Sequence, residues 1–145
     1  MSYFDEDLIQ SFAELNIPYE KLTKSKHDLL VNKIKNAFVF SGSQINWSLL
    51  RESVSYNGAN PANLATLTRD IKTKNPTEII FIGDSLTDHA YQVDTNDLAI
   101  SLRLFSEIPQ HTYVLPENLG WIACINFDGH IDFHGGAAYR YLDPT

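Results

Sequence analysis

Cysteine is almost missing from this chain. The one present, Cys124, sits in an apolar stretch, so neither an intramolecular disulfide nor a cysteine zinc cage can form. Long apolar runs are also missing: none reaches the ~20 residues of a membrane helix. The opening Met1-Ser2-Tyr3-Phe4-Asp5-Glu6-Asp7 is acidic where a secretory signal would be basic. A cytoplasmic location without a membrane role is expected. There is no internal repeat and no low-complexity tract, and 145 residues suit one domain with one core.

Basic side chains are scarce in one half only. Residues 1–75 carry nine Lys or Arg against eight Asp or Glu, whereas residues 76–145 carry two, Arg103 and Arg140, against ten acids. The surplus behind the net charge of −7 therefore lies after Pro76. A negative field repels phosphate backbones and anionic lipid and attracts basic protein surfaces. Direct nucleic-acid or membrane binding is thus disfavoured, and a basic protein is the natural complement. Solubility alone would also explain the acidity.

Apolar spacing predicts a helix over residues 4–15, with Phe4, Leu8, Phe12 and Leu15 on one face. A second helix is predicted from Ser25, read as its N-cap, to near Gly42, and a third from Pro61 to Lys72. The period changes at Asn75-Pro76. Glu78 to Ile82 reads as a buried strand, and His89 to Val93 as another. A helix capped by Asp94 or Thr95 follows and ends at Pro109. Strands are then expected at 111–115, 120–127 and 130–134, the last two joined through Asp128-Gly129 as a two-residue hairpin turn. The fold class expected is α+β: a helical N-terminal half followed by a mainly antiparallel sheet with helices packed on one face.

Gly83-Asp84-Ser85-Leu86, at the exit of the first strand, resembles the nucleophile block of the GDSL esterases of the SGNH hydrolase family. That resemblance implies a Ser85 nucleophile served by a histidine and an acid. The chain departs from the rest of the pattern. No Asp stands three residues before any histidine, the only Gly-x-Asn triplet (Gly58-Ala59-Asn60) precedes the serine, and the residues after Leu86 leave no room for the family's parallel crossovers. A turn is the preferred reading of the tetrapeptide, with the Ser85 esterase as the alternative.

His130, Asp132 and His134 alternate along one predicted strand and should share a sheet face. With Asp84, Asp88 or His89 they form a conceivable zinc or iron set for a small metal-dependent hydrolase. A half-solvated polar face explains the alternation equally, and no metal or other cofactor is expected. His27 and His111 read as surface or structural residues and Trp121 as core. Tyr139 and Tyr141, flanking Arg140, read as interface aromatics.

The run from Ile79 to Gly135, with strand IIFIG, helix LAISLRLFSEI and then HTYVLPENLGWIACINFDGHIDFHG, resembles immunity proteins of bacterial toxin-immunity pairs of the contact-dependent growth inhibition type. The resemblance implies a non-catalytic inhibitor that neutralises a cognate basic toxin domain, often a nuclease. The residues expected to meet it are Asp84, Asp88, Asp94, Asp97, Asp128, His130, Asp132, His134, Tyr139 and Tyr141.

Overall fold

The computed structural model describes residues 1–136. Tyr139, Arg140 and Tyr141 lie outside the described residues. Four helices and nine strands appear among the described residues: α1 (Tyr3–Glu14), β1 (Tyr19–Lys21), α2 (Lys24–Ala37), β2 (Phe40–Ser41), β3 (Gln44–Ile45), β4 (Ser53–Tyr56), α3 (Pro61–Lys72), β5 (Glu78–Gly83), β6 (Tyr91–Asp94), α4 (Leu98–Ser106), β7 (Thr112–Leu115), β8 (Ile122–Ile125) and β9 (Ile131–His134).

Local chemistry sets the helix ends. Ser2 caps α1 in a reciprocal box with Asp5, and Asn16, at φ 56°, takes the left-handed conformation that closes it. The cap of α2 is Thr23 rather than Ser25. The Leu22 N–H is still bonded to the Ala90 carbonyl, so the chain leaves the sheet and enters the helix with no slack for a later cap. Asn60 caps α3, with Pro61 in its first turn.

The fold is α+β, and the main sheet has seven strands in the order β1-β6-β5-β7-β8-β9-β4, with every neighbouring pair antiparallel. Both edges, β1 and β4, come from the largely helical N-terminal half. β7 and β8 are buried at every position and β5 from Ile79 to Ile82, as expected of strands covered on both sides.

One face presents Phe81, Tyr91, Val114, Ile125 and Phe133 to α1, α3 and α4. The other presents Ile80, Ile82, Leu115, Ile122 and Cys124 to Leu30 and Ile34 of α2 and to Ile45, Trp47 and Leu50. Helices on one face thus describes three of the four. α2 takes the second face because β1 and the short β2-β3 hairpin hold both its ends there. The Tyr56 hydroxyl donates to Asp70 of α3, and burial together with that carboxylate pushes the phenol up to about 12. No helix among the described residues is long and apolar enough to cross a membrane.

The antiparallel ladder gives the sheet two ends with different loops. At one, β5 and β8 finish and β6, β7 and β9 begin, gathering residues 84–90, His111 and the 126–130 turn. At the other lie Glu78, Asp94 and the 116–121 turn.

Candidate functional site

The Gly83-Asp84-Ser85-Leu86 segment is a turn held from inside. Gln110 Oε1 accepts the backbone N–H groups of Leu86 at 2.8 Å, Thr87 at 3.2 Å and Ser85 at 3.4 Å. Its Nε2 donates to Thr87 Oγ1 at 3.0 Å. The converging amides that could have stabilised an oxyanion are therefore taken. The Ser85 hydroxyl donates to its neighbour Asp84 at 3.2 Å and, among the described residues, bonds to no histidine. Asp84 Oδ1 also accepts the His111 N–H at 3.1 Å, which ties this turn to the start of β7.

A second buried anchor supports the same loop. Asp5, fully buried in α1, accepts the Asp88 N–H at 2.7 Å, the His89 N–H at 3.3 Å, the Tyr91 hydroxyl at 2.5 Å and the Ser2 hydroxyl at 2.7 Å. Burial pushes its pKa up, but these donors outweigh it and hold the carboxyl below its ordinary value. Gln110 thus holds residues 85–87 and Asp5 residues 88–89 of one short loop, and the side chains of Asp84 and Asp88 are left in solvent.

The β8-β9 turn stands beside this loop. Gly129, at φ 88°, donates to the Asn126 carbonyl at 2.8 Å, and the Asn126 N–H closes onto the His130 carbonyl at 2.8 Å. Only Gly129 takes positive φ, so this is a three-residue connection with a glycine bulge, not the expected two-residue turn. The extra residue is Phe127, which the turn lifts out of the sheet: its side chain is 65% exposed. Its N–H donates to His111 Nδ1 at 3.4 Å, and the two rings meet edge to face at 5.8 Å. Asp128, exposed next to it, accepts the His130 N–H at 3.0 Å. This end therefore carries a projecting aromatic ring with Asp84 and Asp128 beside it and three imidazoles, His89, His111 and His130, nearby.

The other expected contact residues divide. Asp94 ends β6 opposite Glu78, and Asp97 opens α4, both at the far end of the sheet. The length of β5 separates them from Asp84, roughly 17 Å at the ~3.4 Å rise of an antiparallel strand. Among the described residues, the acids after Pro76 thus do not form one continuous face.

Asp132 and His134 are corrections. They do share a sheet face, but that face is buried: Asp132 is 4% exposed and His134 0%. Cys124 and Ile122 stand opposite them on β8, in the core layer that also holds Trp47 and Leu50. Neither side chain can meet a partner at the surface.

Asp132 is a hub, accepting Ser55 Oγ at 2.6 Å and Asn126 Nδ2 at 3.2 Å, with His130 Nε2 at 3.5 Å. The carboxylate stands between Ser55 and His130, so the imidazole is not placed to take the serine proton, unlike a hydrolase triad. Cys124 is fully buried, and burial first, with Asp132 and Asp84 adding, pushes its thiol well above the usual range. It is a thiol and not a nucleophilic thiolate. The alternative His130, Asp132 and His134 metal set is not assembled: among the described residues no three His, Cys, Asp or Glu side chains converge to hold a metal ion.

Phe127, Gln110, Asp5 and Ser55 carry no motif that singles them out. For Phe127 a signal existed, since Asp128-Gly129 marks a turn and a large apolar residue directly before it is placed at the tip. Comparison with protein-family models, curated proteins and solved structures yields no match.

Proposed function

We propose that this chain is a non-catalytic immunity protein that binds and neutralises a cognate basic toxin domain in the cytoplasm. Its docking surface is the sheet end formed by the 84–90 loop and the 126–130 turn. The observation that carries the reading is Phe127, an exposed aromatic ring packed edge to face on His111 with the exposed Asp128 next to it in the turn. Aromatic anchors supply a large share of binding energy, and charged rims set encounter rate and specificity. Phe127 is the anchor; Asp84, Asp88 and Asp128 are the rim, and His130 lies beside it. Asp94 and Asp97 belong to the other end and take no part. The local resemblance to immunity proteins over residues 79–135 agrees with this role, and the acidity after Pro76 supplies the sign.

The serine-hydrolase alternative is disfavoured by Gln110, which occupies the amides beside Ser85, and by the antiparallel sheet in place of that family's parallel one. Co-production with a basic effector domain, should one be encoded in the neighbouring reading frame, tests the proposal. The wild type should protect cells and co-purify with the toxin, whereas Phe127→Ala combined with Asp128→Asn should do neither. Protection by that variant equal to wild type would reject the docking surface.

A further inference from the structure

The basic side chains of the N-terminal half are not spread evenly. α2 alone holds Lys24, Lys26, Lys33 and Lys35 against Asp28. Lys26 and Lys33, two turns apart on one helix face, border a pocket of about 250 Å³ between α2 and the sheet. Leu22, Leu30 and Ile80 line it, and Leu29 stands at its rim 66% exposed. The Lys33 ammonium donates to the Glu117 carbonyl at 2.8 Å, which holds it at the mouth, and the exposed Glu117 carboxylate is the one acid in the lining. The volume falls below the ~300–1,000 Å³ of small-molecule sites and suits a single large side chain.

The opposite shape and charge stand elsewhere on the same chain: Phe127 projects from its turn with Asp128 beside it. We propose that the turn of one copy seats Phe127 in this pocket of a second copy, with Asp128 facing Lys26 and Lys33. The contact joins two different patches: exchanged reciprocally it closes a two-fold dimer, and otherwise it runs head to tail from copy to copy until a ring closes. One ring and its rim are far less than the ~1,200–2,000 Å² of a stable interface, so the association is weak and salt-sensitive. The inference rests on the docking role of the Phe127 turn and deepens it: a turn engaged with another copy is closed to the toxin, so toxin and self-association compete.

Sedimentation velocity of the full chain from micromolar to millimolar concentration, at low and high salt, tests this. Wild type should grow with concentration at low salt and less at high salt. Phe127→Ser, which lacks the knob, and Lys26→Glu/Lys33→Glu, which lacks the basic rim, should each stay monomeric. Mixed together, these two should give a dimer and nothing larger, since only one contact remains available. Adding Asp128→Lys to the Lys26→Glu/Lys33→Glu chain should restore self-association. A wild type monomeric throughout, a Phe127→Ser chain that associates like wild type, or a mixture that stays monomeric would each overturn the inference. Because no toxin is present, that failure is separate from failure of the toxin-docking reading, which the protection experiment decides.

Discussion

Gln110 Oε1 accepts the Leu86 N–H at 2.8 Å, and this bond converts a segment spelled like an esterase motif into a braced turn. Gly83 belongs to the same device: a Cβ there would lie 2.2 Å from Gln110 Nε2. Gln110→Ala would leave amides and Thr87 without their partner and should cost about 1–3 kcal/mol. Ser85→Ala, on the exposed side, should stay within about 0.5 kcal/mol. Urea denaturation of the two variants checks this, and a Ser85 effect as large as that of Gln110 would contradict it.

Asp5 couples folding to acid. Its folded pKa lies below its unfolded value, so its contribution is fully present above the unfolded pKa and disappears as pH falls through the folded one. Asp5→Asn should cost about 1.5–3 kcal/mol at neutral pH, the scale of hydrogen bonds to a charged group. It should also make stability less dependent on pH on the acid side. Denaturant titrations at neutral and acidic pH would show whether the gap between the two chains narrows on acidification; a gap that widens would contradict the assignment.

Cys124 is fully buried in the core layer on the α2 face, and its thiol is held protonated. A disulfide reagent at neutral pH should react negligibly with the native chain and stoichiometrically after unfolding in urea. Rapid native labelling would mean that the β8-β9 layer opens.

Phe127 touches the rest of the fold mainly through His111, and it is exposed. Phe127→Ala should therefore leave folding stability within about 0.5 kcal/mol, while weakening toxin binding by at least tenfold, the ~1.4 kcal/mol or more expected of an aromatic anchor. Thermal melts and a binding isotherm on the same preparation separate the two effects.

Much of the fold was legible in the sequence because it rests on local signals. Glu78 to Ile82 is β-branched between turn residues, and the helices show their apolar spacing, although the cap of α2 is Thr23 and not Ser25, and α4 starts from Asp97 and not from Asp94 or Thr95. The edge strands were not legible: Tyr19–Lys21 is a three-residue segment exposed throughout, and Ser53–Tyr56 has no buried position. Only pairing with distant β6 and β9 makes them strands. The site was partly legible. Asp84, Asp88 and Asp128 were readable as exposed acids, whereas Asp132 and His134 are buried on the face that also carries Cys124 and Ile122, which only the arrival of distant chain segments over that face decides. Alternation along β9 shows which side chains share a face but not whether that face is covered.

The central claim is that one end of the sheet, and not the acidic half as a whole, meets a basic toxin domain. Stopped-flow association of the purified toxin domain compares the two ends directly. Asp84→Asn/Asp128→Asn should lower the association rate and flatten its dependence on salt, while Asp94→Asn/Asp97→Asn, at the far end of β5, should leave both nearly unchanged. Equal slowing by both pairs, or slowing by the far pair alone, would contradict the account.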